Sequence, residues 1–515
     1  MGKKNKSKQK VSGIEKTAMK TEKKLNSKLK KELKAMGEDD IEKVVAQIEK
    51  EEAARQKVVE VVVDQPSRRV NFTLTAHPFK DELIMLGGEF HDGRKTTVYG
   101  DMYFYNLNKK TWTLIKAPGA PPPRCGHQAV AIPSNKGELW VFGGEFSSPS
   151  ESQFYHYKDL WVFNFGEKKW KKVVVPNGPS SRSGHRMVYT KKQLIIFGGF
   201  HDNGRDFKYF DDLYKFDLTT YTWQKISIVG FVPQPRSGCI VLPIADNKIL
   251  ITGGYSRKRI KNEMDIGEIH EDMYILSPLK GESQDFKWKS YDVKPSGLTF
   301  LPRCSSSAVL VSPTVAYVFG GVFDDVNLED DEVLNGTFFN DLLSLDLEKR
   351  HWKIVTLTGD KEKSKRRRRK DDSDAKDDGD EKDDDQDEKE KEANVEPAKV
   401  VVDDGVFTMT IGPAPATSTS SVAAEPKAQV FTPSPRINPG LVVKNNVLYL
   451  YGGIYEDGDR QYTLNDFYSL DLHKLNEWQT IIPNDVSSQV WLDSESSESE
   501  SDSDDSSDDE DMDLE

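Results

Sequence analysis

The sequence predicts an all-β fold: a six-bladed propeller with a Lys-rich helical arm before it, a charged insertion within it and an acidic tail after it. Three observations carry this. An apolar run ends in a Gly pair six times, at Gly87 and Gly88, Gly143 and Gly144, Gly198 and Gly199, Gly253 and Gly254, Gly320 and Gly321, and Gly452 and Gly453. Six of the nine tryptophans, Trp112, Trp170, Trp223, Trp288, Trp352 and Trp478, hold one later position in the same pattern. Successive Gly pairs start 56, 55, 55, 67 and 132 residues apart, the last interval containing the insertion. One four-stranded unit of this length cannot bury both of its faces, so the units must close on one another as a ring.

The first two Gly pairs read GGEF, at 87–90 and 143–146, which is the signature of a class of nucleotide cyclases. A catalytic signature belongs once in a globular domain. Four further Gly pairs hold the same place without Glu-Phe, so GGEF is first a repeat mark. The pattern points to no catalytic residue, no cofactor and no metal site: the nine His are scattered and there is no CxxC.

Each unit lines up on an Arg that opens an apolar stretch, the Gly pair, an Asp before an apolar-aromatic pair, and the closing Trp. The third unit shows Arg182, Gly198 and Gly199, Asp212 and Trp223. Its runs HRMVYT, QLIIFGG, DLYKFDL and WQKISIV are short, β-branched or aromatic, and divided by turn residues, which predicts four strands. The Gly pair implies positive φ and close backbone approach. The Trp suits packing of one unit on the next, since its ring buries roughly 200 Å2.

These marks resemble the kelch-repeat superfamily. The strings SQFYHYKDLW, GGFHDNGRDFKYFDDLY, GGYSRKR and YGGIYEDGDRQYTLNDFYSLDLH are most similar to the kelch domain-containing protein 4 family. The likeness covers most of the chain, including EKTAMKTEKK near the start and the basic-then-acidic insertion. It implies a six-bladed kelch β-propeller used for protein interaction, with no catalytic residue to carry over.

Composition divides the chain into a Lys-rich arm at 1–66, the propeller at 67–485 with the charged insertion at 360–430, and a Ser-rich acidic tail at 486–515. Residues 1–35 hold 13 Lys against three Glu, residues 371–392 hold 14 acids against four Lys, and residues 493–515 add 13 acids and no base. Such blocks read as solvated, disordered arms. Within the arm, Ile41, Val44, Val45 and Ile48 recur at helical spacing, which predicts a helix docked on its own domain or, alternatively, a partner or coiled-coil helix. KSKRRRRK at 363–370 fits a nuclear import signal, an RNA-phosphate patch or a plain solvated run. KVVVDDGVFTMTI at 399–411 reads as a β-hairpin.

Three cysteines make no disulfide framework and indicate a reducing compartment. No window approaches a membrane span, and Lys6 stands where a myristoylation signal after Gly2 wants Ser or Thr, so an intracellular protein of nucleus, cytoplasm or both is expected, without a membrane partner.

Antiparallel alternation puts the opening Arg residues and the loops after the Gly pairs on one face. That face is the candidate partner-binding surface. It collects Arg69, Arg124, Arg182, Arg236, Arg303 and Arg436, with Tyr155, His156, His201, Arg205, Arg257, Arg259 and Arg460 from the loops. A second reading of the opening Arg residues is structural, as donors to loop carbonyls. On the first reading the acidic insertion and tail act as tethered competitors for a cationic face. The function expected is a non-enzymatic scaffold that binds a protein or peptide, with no small-molecule substrate. Alternatives are a ubiquitin-ligase substrate receptor, although no BTB or F-box-like segment precedes the repeats, and an RNA- or ribosome-particle-associated factor using the basic segments.

Overall fold

In the third unit the alternating runs become four antiparallel strands, Arg186–Thr190, Gln193–Phe197, Leu213–Asp217 and Thr222–Gly230. The register sets Leu194 opposite Phe216 and Phe216 opposite Trp223, so one face of the unit is continuously apolar. The last two strands are joined by a turn in which the Asp217 carboxylate accepts from the Thr219 and Thr220 backbone N–H groups, while Tyr221 takes φ 55°. The computed structural model describes residues 39–204, 206–259, 265–279, 286–299, 302–325, 335–359, 430–457 and 460–485. The expected hairpin at 399–411, the basic run at 363–370, the acidic blocks and Arg205 lie outside these residues.

The other repeats follow the same strand order, giving an all-β propeller. Their innermost strands are Thr73–Ala76, Gln128–Ile132, Arg186–Thr190, Ile240–Ile244, Ser307–Ser312 and Gly440–Lys444. Each contacts the next, and the last contacts the first. Hydrophobic cores lie between neighbours: Ile84 and Ile115 of the first unit pack with Leu139 and Trp170 of the second. Trp112 and Tyr105 of the first unit meet Tyr451 and Phe467 of the last, with Tyr105 and Phe467 ring centroids 5.0 Å apart. Five of the six closing tryptophans are buried in such cores, and Trp223 is half-buried.

Gly199 shows why the pair is glycine. Its φ is 94°, and a Cβ there would sit 2.7 Å from the Ser183 carbonyl oxygen and 2.8 Å from His185 Cβ.

The outer edge of several units is overlaid by the chain that has just left the preceding unit. Ser227–Gly230 pairs in parallel with 287–290, joining the third and fourth units into one eight-stranded sheet. Ser296–Gly297 does the same beside His351 and Trp352. Thr358 and Gly359 donate to Leu475 and Asn476 of the last unit, and Trp170 donates to Pro118. The first unit is covered instead by β1, Val59–Val63, which runs antiparallel to Thr111–Lys116. This strand falls inside the stretch expected to be arm.

A helix precedes it: α1, Ile41–Ala54, N-capped by Asp40, whose carboxylate accepts from Glu42 N. Its Ile41 and Val45 are buried against Tyr157 of the second unit. Among the described residues no helix is long and apolar enough to cross a membrane.

Candidate interaction face

The opening Arg residues form a buried girdle under the face. Arg124 donates to both oxygens of Asp159 at 2.8 and 3.2 Å, Arg182 to Asp212 at 2.5 and 3.1 Å, and Arg436 to Asp466 at 2.6 and 2.8 Å. Arg236 pairs with Asp272 and Arg303 with Asp341, while Arg69 lies 3.8 Å from Asp101. Each Arg also donates to the carbonyl of the first Gly of its pair, such as Arg182 to Gly198 at 3.0 Å. An aromatic two residues before the Asp often covers the guanidinium: Tyr99, Tyr157, Phe210 and Phe339 lie 3.7 to 4.1 Å from it. Arg69, Arg124, Arg182, Arg236, Arg303 and Arg436 are therefore not available to a partner. The reading of these residues as structural donors to loop carbonyls holds, the expectation that they form a cationic binding surface is corrected, and the acidic blocks lose that part of their expected target. A guanidinium without solvent must find several acceptors, and the repeat supplies them within its own unit.

Above the girdle the loops after the Gly pairs are not irregular. They project as two-stranded ribbons: Glu89–His91 with Thr96–Val98, Glu145–Ser147 with Phe154–His156, Phe200–Asp202 with Phe207–Tyr209, Tyr255–Lys258 with Ile266–Ile269, and Val322–Asp325 with Asn335–Phe338. In the last unit the strands Val447–Asp457 and Arg460–Asp471 run on past the Gly pair through a bulge. At each ribbon base the residue after the opening Arg bridges the residue after the Gly pair, as in Cys125 with Glu145 and Ser183 with Phe200.

The residue following that bridge is left-handed in every unit: Asn71, Gly126, Gly184, Gly238, Ser305 and Asn438 have φ between 47° and 61°. These six form the neck of the ring. Gly126 N donates to Asn71 O, Gly184 N to Gly126 O, Gly238 N to Gly184 O and Asn438 N to Ser305 O, at 2.9 to 3.0 Å. Asn438 Nδ2 donates to Asn71 Oδ1 at 3.2 Å and joins the last unit to the first. A channel of about 740 Å3 runs between the inner strands and is lined by these neck residues together with Glu145 and Phe200.

The residue after each Gly pair differs between units. On the first two units stand the glutamates of the two GGEF tetrapeptides. Asn71 Nδ2 donates to Glu89 Oε1 at 2.7 Å, and burial raises the Glu89 pKa. Burial, reinforced by the Glu89 charge, pushes Glu145 up to about 8. The equivalent positions of the other units hold Phe200, Tyr255, Val322 and Ile454.

Behind Glu145, the Asp202 backbone N–H donates to His156 Nε2 at 3.0 Å, so the ring proton belongs on Nδ1, 3.0 Å from Ser183 Oγ. Ser183 in turn donates to Glu145 Oε2 at 3.2 Å. Burial, with the neighbouring His201 next, lowers the His156 pKa to about 4. Ser183 is fully buried, so this Ser, His and Glu set lacks an accessible nucleophile.

His201 is half-buried and stacks on His156 at 4.6 Å, and Tyr155 is half-buried beside α1. Arg257 and Arg259 stand over the Phe207 ring at 4.1 and 5.1 Å. Arg257 also contacts Asp202 at 3.5 Å, and Arg259 contacts Asp265 at 3.2 Å, so both are engaged within the third and fourth ribbons. Arg460 is exposed at the start of its ribbon strand. Tyr155 and His156 thus lie on the second ribbon, His201 on the third, Arg257 and Arg259 at the fourth and Arg460 on the last, while Arg205 is outside the described residues; His156 is buried, which corrects its place on the binding face. Sequence reasoning treated Glu89 and Glu145 only as repeat marks. The signal for them was the Glu-Phe that follows two Gly pairs and not the other four.

The arrangement is that of a propeller whose loop face carries two-stranded ribbons. A family model described as FBX42, beta-propeller domain, matches residues 69–275. Kelch domain-containing protein 3 of Homo sapiens is 30% identical over 184 residues, which cover 34% of this chain and 46% of that protein. Kelch repeat-containing protein 2 of Saccharomyces cerevisiae is 30% identical over 200 residues, covering 36% and 21%. Acyl-CoA-binding domain-containing protein 5 of Arabidopsis thaliana is 28% identical over 179 residues, covering 34% and 26%. The chain spans less than half the length of each of these relatives. A solved structure titled "Structure of YjhT" aligns over 81% of this chain and 98% of its own at 15% identity, with a TM-score of 0.46. The chain carries a kelch β-propeller. The kelch domain-containing relative named here carries the number 3, not the number 4 of the resemblance drawn from the sequence.

Proposed function

We propose that this chain is a six-bladed, non-enzymatic interaction scaffold, which takes a protein or peptide segment on its ribbon face with a Lys or Arg side chain seated over the channel mouth. Support for six blades is the closed succession of six inner strands. The observation that carries the ligand chemistry is the channel lining, in which Glu145 stands with Phe200 and with Asn71, the residue that holds the Glu89 carboxylate. A basic side chain has an aliphatic stem for the aromatic side and a charge for the carboxylates.

Because Glu145 titrates near 8, seating a cation there releases a proton at neutral pH. Affinity for a basic peptide then rises between pH 6.5 and 8, by at most about tenfold per pH unit for one linked proton, and levels off above. The test is a peptide-display selection on the full-length protein, followed by calorimetry of the recovered peptides. Recovered peptides should share a Lys or Arg, and Glu89→Gln with Glu145→Gln should weaken them at least about tenfold, as expected for a lost charge-assisted pair. Binders indifferent to both exchanges and to pH would overturn the reading.

A further inference from the structure

We infer that the second ribbon is a docking site for an amphipathic helix, and that α1 fills this site in cis as a stand-in for a partner helix. The inference rests on the reading of the ribbon face as an interaction surface. The geometry is specific. The Gln153 side chain clasps the helix start with both ends of its amide: Oε1 accepts the Ile41 N–H at 3.2 Å, and Nε2 donates to Asp39 O at 2.9 Å. Ile41 and Val45, four residues apart on one helical face, pack on Tyr157 with Phe146 and Tyr155 alongside. One turn further on, Glu49 meets Lys172 at 2.6 Å on the outer strand of the same unit. The site thus reads aliphatic, aliphatic and acidic at the first, fifth and ninth positions of a helix.

The contact is also of a kind that exchanges. Ile41 and Val45 are the only two buried residues of the 14 in α1, and the Glu49–Lys172 pair is exposed. A helix of this length is marginal by itself, and an exposed ion pair adds under about 1 kcal/mol. To these few contacts tethering adds an effective concentration in the millimolar range. Tyr157, the floor of the site, covers the Arg124 guanidinium at 4.1 Å and donates its hydroxyl to Pro123 O at 3.0 Å, so the surface stays formed when the helix leaves.

The test uses the full-length chain and a fluorescent peptide of residues 39–57 as the probe. Wild type, its site filled in cis, should bind the peptide weakly. Ile41→Asp with Val45→Asp should vacate the site and bind it at least about tenfold more tightly, the advantage expected when a millimolar tethered competitor is removed. A peptide carrying the same two exchanges should not bind. Equal affinity of wild type and variant, or no binding to the variant, overturns the inference. Should the variant fail to fold, hydrogen exchange on wild type decides: α1 amides should exchange far faster than those of Gln193–Phe197, and equal protection would make α1 a fixed part of the fold. Glu145→Gln, which probes the channel mouth, should leave peptide binding unchanged, so the two readings fail separately.

Discussion

Asp466 and Arg436 are both fully removed from solvent, and the pair makes two bonds of 2.6 and 2.8 Å. Asp466→Asn keeps the shape and leaves a guanidinium charge buried without its counter-ion. The expected cost is about 3–5 kcal/mol, against under about 1 kcal/mol for removing the exposed Glu268 partner of Lys258. Urea denaturation of the two variants checks the contrast. Glu145 makes a pH-dependent prediction. Its folded pKa near 8 exceeds the unfolded value, so the folded state holds more protons between about pH 4.5 and 8 and stability falls as pH rises through that window. His156, lowered to about 4, acts oppositely between about 4 and 6.5, as stability there rises with pH. Above pH 6.5 the His156 contribution is complete, and Glu145→Gln should reduce the loss seen in wild type between pH 6.5 and 8, a loss to which Glu89, also raised by burial, adds; an unchanged slope would refute the assignment. Both the Arg and the Asp of the girdle were legible as marks. Their pairing was not, because they stand 30 to 38 residues apart and meet only once strands two and three align.

The four strands of each unit were legible because alternation and turn residues are local. The ribbons were read as long loops, since runs of three residues such as FHD and FKY are too short to show a period. The Arg of each loop looked free for the same reason: Phe207 and Asp202 lie across a neighbouring ribbon from Arg257. Three substitutions test how elements hold together. Trp288→Ala, in a core residue 1% exposed, should cost about 3–5 kcal/mol, and Trp223→Ala at its half-buried counterpart clearly less. Gly199→Val adds backbone strain at φ 94° to a clash with the Ser183 carbonyl, and should cost a few kcal/mol. Thermal melts of the three variants give the order directly, and a Gly199→Val melt equal to wild type would contradict the crowding described.

Across the whole molecule, the described chain on either side of residues 360–429 comes together. A Cβ at Gly359 would lie 3.4 Å from Val430 Cγ2, so the two ends of the described chain are adjacent. Replacing residues 360–429 by a short Gly-Ser linker should leave the melting temperature within about 2 °C of wild type, because a ΔΔG below 1 kcal/mol shifts a domain of this size by no more. A drop of ten degrees would show that the segment contributes to the fold. Among the described residues the ring closes by packing of Trp112 and Tyr105 on Tyr451 and Phe467 and by the Asn438–Asn71 hydrogen bond, without exchange of a strand between the first and last units.

The parallel overlay of outer edges sets a direction for assembly on the ribosome. The segment leaving one unit, such as Ser227–Gly230, is already synthesised when its neighbour's outer strand emerges, and it offers that strand a ready backbone partner. Each newborn sheet meets a templated border rather than bare water, which limits the time an unpaired edge is open to other nascent chains. The first unit has its edge covered differently. There β1 lies antiparallel, where two later units have a parallel neighbour, and growth of the ring can begin from a sealed edge.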